Sequence, residues 1–420
     1  VTLHNELTDA TGDIDYCFIV DNDDAMYFWD GSEGSASTAT GLKVGEGVTL
    51  ELPINFYYDG EPYAVVQLSF SNDIYNEGMI TTSSDSNKRS DLTINSVQNY
   101  YGSETSSIDL KGDDSNWWGG SLLMTLSKAN SGFYNEGEIN TSGGNDVWSA
   151  DCKAGNINID IDQTDGALFY NGGVFKSIGG EGSETGYGGN GGIINITSAK
   201  DVLNSGSIDS SGGNGSISVG SGGSISITAN FGDLNNSGDI SANGGVYTSD
   251  SYPAHDGGNI TLKAIAGSLI NSGDLSAKGG AVGGNYFCGG NGGDLLLSVS
   301  YGIDSDSQYQ AAGDIYLSGN LDTSGGFGGI GDEEGCGGYQ QGGDITISLN
   351  ASFSADDQVI HLLGYGNGID LSGGSGGAGG GDAGAGPVGA RHRGRLPRRR
   401  RAAAAVAHGG VRARRAAVAG

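Results

Sequence analysis

Two carboxylates beside two indoles are the residues here best suited to catalysis: Asp113-Asp114, followed by Trp117-Trp118. Paired carboxylates can divide acid and base roles at a glycosidic bond, and a flat apolar ring with a polar edge suits a sugar. The preferred reading of the same residues is a polar loop ahead of Gly119-Gly120, with both Trp packing at an edge. A second signal is Gly289-Gly290-Asn291-Gly292-Gly293-Asp294-Leu295-Leu296-Leu297. It fits a nonapeptide that holds calcium between consecutive turns. A single copy offers half a site through Asp294, and the sister stretch Gly188-Gly189-Asn190-Gly191-Gly192 continues with Ile193 instead of an acid. Oxygen-rich groups at Asp21, Asp23 and Asp24, and at Asp332, Glu333 and Glu334, are further calcium candidates. Solvated acidic loops are the plainer reading of both. Calcium is thus the one cofactor these residues suggest, beside the simpler expectation of none.

Cysteine offers a third kind of chemistry. Cys288 and Cys336 sit in equivalent Gly-rich segments of successive repeats, so they are the candidate disulfide. Such a bridge suits an oxidising, extracytoplasmic location. Two thiols in flexible loops are the alternative, and the pairing of Cys17 and Cys152 stays open. There is no C-x-x-C and the five His are scattered, so a structural zinc site is not expected. No Gly run is followed by Lys and Ser or Thr, which excludes a phosphate loop.

What must position these residues is a repeat. The phrase is a large apolar residue, Asn, any residue, Gly, any residue, Ile or Leu, then three residues and Gly-Gly. Its central Gly falls at 137, 173, 206, 238, 273 and 319, in steps of 36, 33, 32, 35 and 46 residues. Between copies run alternating strands such as Gly155-Asn156-Ile157-Asn158-Ile159 and Gly258-Asn259-Ile260-Thr261-Leu262. Period two means strand, and a fixed long period means stacked units that cannot bury their apolar faces alone. Asn135, Asn171, Asn204, Asn236 and Asn271 should then form a structural ladder of side-chain amides. Thr141, Ser177, Ser210, Ala242, Ala277 and Thr323 form a second column, small at every copy, as a tight inward corner requires.

The expected fold is all-β: a right-handed parallel β-helix, or β-solenoid, with Gly-rich loops. Residues 1–70 read as an N-terminal cap with a first coil, residues 71–372 as about seven or eight coils, and residues 373–420 as a disordered tail rich in Gly, Ala and Arg. A shifted reading frame is the preferred reading of the tail, against a basic arm for anionic polymers. Fifty acidic residues against nine Lys and Arg89 leave about −40 over residues 1–390. A surface so acidic repels nucleic acid and anionic membranes and keeps a long β surface soluble. No run of eighteen apolar residues occurs, so no membrane span is expected. A start at Val1 reads as a processed or truncated product.

Ile260-Thr261-Leu262-Lys263-Ala264 to Gly267-Ser268-Leu269-Ile270-Asn271-Ser272-Gly273-Asp274-Leu275-Ser276-Ala277 resembles the repeats of filamentous-haemagglutinin-like bacterial surface adhesins, over roughly residues 120–350. The resemblance implies a right-handed parallel β-helix exported to the bacterial surface. The long Gly-rich loops depart from that family, as does the lack of its secretion domain over residues 1–70. Other β-helices are polysaccharide lyases, which need Arg or Lys at a uronate; Arg89 and scattered Lys supply little of that. The signatures of pectin-hydrolase-like enzymes are missing too. The expectation is therefore a secreted or cell-surface, non-enzymatic solenoid with a structural or adhesin-like role. Its partners would be an extracellular surface, a polysaccharide or a ligand on a host or neighbouring cell. The alternative is a polysaccharide-active enzyme or carbohydrate-binding module, with Asp113 and Asp114 as catalytic residues and Trp117 and Trp118 as the sugar platform.

Overall fold

The computed structural model describes residues 41–363, except 53–56, 59–60, 71, 83–88, 113–117, 146–151, 163–166, 183–185, 248–253, 283–287, 304–308, 329–339 and 351–358; it also describes strands at 17–20, 38–39, 369–370 and 411–414. Every regular element among the described residues is a β-strand. Most of them assemble into three sheets of eleven, ten and twelve strands whose coil-to-coil pairing is parallel; Tyr57–Tyr58 joins the twelve-stranded sheet antiparallel, and Gly302–Ile303 with Tyr309–Gln310 makes a separate antiparallel pair. The chain is a parallel β-solenoid.

One coil shows how the sequence makes the turn. Ile193–Ser198 runs in the twelve-stranded sheet, Asp201–Asn204 in the eleven-stranded sheet and Ser207–Asp209 in the ten-stranded sheet. A Gly-rich excursion then leads to Ser224–Ala229, directly beside Ile193–Ser198. Pairing is in register from coil to coil: Ile194 with Ile225, Ile225 with Ile260, Ile260 with Leu295, and Leu295 with Ile345. Like therefore stacks on like, and inward positions become continuous apolar columns. Ile139, Phe175, Ile208, Ile240, Leu275 and Leu321 form one such column and are all buried. Tyr100, Phe133 and Phe169 stack face to face with centroids 4.9 and 5.1 Å apart, and Phe175 meets Phe133 and Phe169 edge-on at 6.1 Å.

The Asn column is the expected ladder. The Nδ2 groups of Asn135, Asn171, Asn204 and Asn236 donate to the Oδ1 atoms of Asn171, Asn204, Asn236 and Asn271 at 2.9, 2.8, 2.6 and 2.7 Å. Each amide also donates to the carbonyl two residues on, closing the Asn-x-Gly bend; Asn204 to Gly206 is 3.0 Å. All five side chains are fully buried. A buried amide with donor and acceptor both used costs little, whereas an unpaired one is expensive.

The small column explains the Gly that opens each long strand. Backbone carbonyls of Thr141, Ser177, Ser210, Ala242, Ala277 and Thr323 accept the N–H groups of Gly155, Gly192, Gly223, Gly258, Gly293 and Gly343 at 2.6–2.8 Å. A Cβ on Gly258 would lie 1.6 Å from the carbonyl oxygen of Gly223. No side chain fits there.

The described parts of the Gly-rich excursions are tied together by backbone hydrogen bonds. Gly180 N–H donates to Cys152, Gly189 to Gly180, Gly213 to Gly189, Gly220 to Gly213 and Gly245 to Gly220, at 2.7–2.9 Å. These bonds zig-zag between the outgoing and returning legs of successive coils. The result is a thin backbone-to-backbone fin on the solenoid flank, with a small core of its own from Val219, Tyr247 and Val282.

At the start of the stack, Gly41–Val44 and Thr49–Leu52 already pair with the coil at Ile74–Asn76 and Met79–Thr82. Of the tail, residues 373–420, the described part is Val411–Arg414. It pairs in parallel with the strand from Ile345. Among the described residues, no helix is long and apolar enough to cross a membrane.

Candidate functional site

The first residue of the repeat phrase faces outward. The side chains one position earlier (Phe133, Phe169, Val202, Leu234, Leu269 and Ile315) fill the core, while Tyr134, Tyr170, Leu203, Ile270 and Tyr316 are half-buried on the outer face. Alternation along the strand dictates this, since the buried Asn fixes which face is inside.

In the first coils this outer position is Tyr four times running. Tyr75, Tyr101, Tyr134 and Tyr170 are register partners across adjacent strands. Tyr75 and Tyr101 stack at 4.9 Å with planes 11° apart, and Tyr101 and Tyr134 at 5.1 Å and 6°. Carboxylates hold both ends of the column. The Tyr75 hydroxyl donates to Asp73 Oδ2 at 3.1 Å, and the Tyr170 hydroxyl to Glu136 Oε1 at 2.8 Å. Asn99 Nδ2 donates to the other Asp73 oxygen at 2.8 Å, which fixes that carboxylate. Alongside runs an open groove of about 320 Å³, walled by the four Tyr, rimmed by Glu77, Ser103 and Glu136, and floored by Asn76 and Gly102. Lys43 pairs with Glu77 at 3.4 Å on the rim.

The surroundings of the column raise two of its phenols. Burial, then the charge of Asp73 and the neighbouring Tyr134, push the Tyr101 phenol above its ordinary value. The bond to Glu136 does the same for Tyr170. These phenols stay neutral donors, the opposite of what a tyrosinate nucleophile needs. Tyr75 and Tyr134 cover both faces of Tyr101, so that ring offers its edge and hydroxyl to a ligand. Elsewhere, burial raises the carboxyls of Asp109 and Asp160.

The residues singled out by sequence fare differently. Asp113, Asp114, Trp117, Asp332, Glu333, Glu334 and Cys336 lie outside the described residues. So do Asp21, Asp23 and Asp24. Trp118 is exposed, with Lys153 Nζ 5.6 Å above its ring. Asp294 works as a clamp between coils: its own N–H donates to Asn259 Oδ1 at 2.9 Å, and its Oδ1 accepts the Asp344 N–H at 2.8 Å. Asp239, Asp274, Asp201 and Asp233 clamp their neighbours in the same manner. Among the described residues, no three His, Cys, Asp or Glu side chains gather closely enough to hold a metal ion. Cys288 is disulfide-bonded, and Cys152 is a buried thiol beside the Gly-Gly backbone.

The tyrosine column is the feature that sequence reasoning missed. Its signal was Tyr immediately before the Asn or Gly of four successive coils, at 75, 101, 134 and 170. Comparison with known families, curated proteins and solved structures yields no match.

Proposed function

We propose that this protein is a non-enzymatic, extracellular or cell-surface β-solenoid with a structural, adhesin-like role. The observation that carries the proposal is the unbroken stacking from Asn135 to Asn271, which makes the coils a stiff, regular scaffold whose outer face is free to vary. The disulfide at Cys288 supports an oxidising compartment. The resemblance to bacterial adhesin repeats supports the surface role. Beads coated with the protein should adhere to cells or to an extracellular polysaccharide under flow; adhesion no greater than that of an equally acidic control protein would defeat the proposal.

The groove favours a second reading, a carbohydrate-binding surface. Phenol hydroxyls, a Ser and carboxylates in a row are groups that hydrogen-bond a polyol. Tyr101→Ala with Tyr134→Ala should abolish retardation in polysaccharide-containing gels while leaving the melting temperature of the remaining coils near its original value. Catalysis belongs to this alternative through Asp113 and Asp114. Product release from a polysaccharide panel that disappears in Asp114→Asn would make the protein an enzyme. Calcium at Asp332, Glu333 and Glu334 remains part of the proposal, and a melting temperature indifferent to calcium and chelator would remove it.

A further inference from the structure

The tyrosine groove carries a charge pattern that narrows its ligand. Its rim is a column of its own: Glu77, Ser103, Glu136 and Gly172 occupy one position in successive coils, and each N–H donates to the coil before it at 2.7–3.0 Å. The two carboxylates reach towards opposite ends. Glu77 extends back to Lys43 Nζ at 3.4 Å, and Glu136 extends forward, where its Oε1 accepts the Tyr170 hydroxyl at 2.8 Å. Gly172 makes the forward reach possible, since a Cβ there would lie 2.2 Å from Glu136 Oε2. Oε2 itself is left to a ligand. Lys43 is the register partner of Tyr75, so its cation stands at the head of the column. Between the two ends, the Tyr101 and Tyr134 hydroxyls have no partner among the described residues.

We propose that the groove binds a linear polymer of amine-bearing sugars, laid along the rod with one sugar to each coil. This rests on the carbohydrate reading of the groove and adds the ligand's charge and direction. Charge sets the class. Acids at both ends of the groove, in a chain of net charge −30, repel uronates and sulfated glycans. A neutral sugar gives Glu136 no cation, whereas a protonated amine makes a charge-assisted bond to Oε2. Spacing sets the shape. The rings recur at 4.9 and 5.1 Å along the column, and a 1,4-linked pyranose advances its chain by close to that step. Same-face side chains of an extended peptide recur about every 6.6 Å and fall out of register with the coils. The Tyr101 and Tyr134 hydroxyls then meet the hydroxyls of the middle sugars.

Isothermal titration calorimetry of the whole chain tests this with three β-1,4-linked hexamers, of glucosamine, N-acetylglucosamine and glucose. The glucosamine hexamer should bind about tenfold tighter than either neutral one. Glu136→Gln keeps an oxygen for the Tyr170 hydroxyl and should erase that preference. Lys43→Gln frees Glu77 and should tighten the glucosamine hexamer roughly two- to fivefold. Equal binding of all three hexamers, lost together in Tyr101→Ala with Tyr134→Ala, would overturn the charge assignment and leave the sugar surface standing. Binding that survives the double Tyr variant, or no binding of any hexamer, would overturn both. A hexalysine peptide that binds as tightly as the glucosamine hexamer would make the groove a general polycation surface and overturn the sugar assignment.

Discussion

Removing one rung of the amide ladder should cost far more than removing a similar-looking bond outside. Asn204 accepts from Asn171 at 2.8 Å and donates to Gly206 at 3.0 Å and to Asn236 at 2.6 Å, all within the buried interior. Asn204→Ala deletes all three bonds and strands the Asn236 Oδ1 acceptor away from water. Asn171 Nδ2 keeps only its long bond to Gly173, at 3.4 Å. At about 1–3 kcal/mol for each buried group left unsatisfied, the loss is on the order of 3–5 kcal/mol. Asn195 provides the control, since its Nδ2 donates to Asn158 Oδ1 at 3.0 Å on the exposed face. There water replaces the lost partner, and Asn195→Ala should cost less than about 1 kcal/mol. Asn204→Asp should be as damaging as Ala at neutral pH, because an acceptor then faces Asn236 and Gly206. It should recover towards acid as the carboxyl takes up a proton. Urea unfolding gives the difference, and hydrogen exchange over residues 193–209 locates it, since repeat arrays can open coil by coil. Equal losses at Asn204 and Asn195, or an Asn204→Ala loss below about 1 kcal/mol, would refute the reasoning.

Burial pushes the Tyr100 phenol up to about 12 from an ordinary 10, opposed by a smaller contribution from Asn76. A raised folded value means stability is intact below pH 10 and lost as pH climbs towards 12. The window is worth about 3 kcal/mol, and alkaline melts should show Tyr100→Phe to be less sensitive across it. Gly258→Ala puts a methyl 1.6 Å from the Gly223 carbonyl and should cost at least about 3 kcal/mol by thermal unfolding. Gly47→Ala, at φ +72° with open space around it, should cost only about 1–2 kcal/mol. Asp294→Asn keeps an oxygen for the Asp344 N–H and should change stability by less than about 0.5 kcal/mol, whereas Asp294→Ala should lose about 1 kcal/mol. A large effect of the Asn variant would show that the charge, and not the clamp, is what matters.

The repeat carried most of the architecture into the sequence. Ile139, Ile208, Ile240 and Leu275 could be placed inside because their spacing from Asn and Gly-Gly hardly varies. Periodicity fixed the ladder for the same reason. Three features stayed hidden behind residue types that serve two purposes. Gly signals a flexible turn and a close backbone approach alike, so Gly180, Gly213 and Gly245 read as loop although they pack into the fin. Tyr ranks as apolar yet has a polar end, so Tyr134 and Tyr170 read as part of an apolar position while the strand turns them outward. Asp294 reads as the acid of a calcium-type nonapeptide, whereas its part in clamping the next coil through the Asp344 N–H had no sequence signal. The Asp113 and Trp117 cluster gave no spacing by which sequence could decide between loop and site.

Because coil stacks on coil, the hydrogen bonds of the three parallel ladders point along the rod. Tension applied end to end would therefore load the weakest inter-coil seam instead of shearing all strands together. Once that seam opened, a coil of roughly 35 residues could pay out on the order of 120 Å of extended chain. Such a molecule would lengthen in steps under a pull and keep its remaining turns intact, a useful habit for anything tethered at one end and tugged at the other.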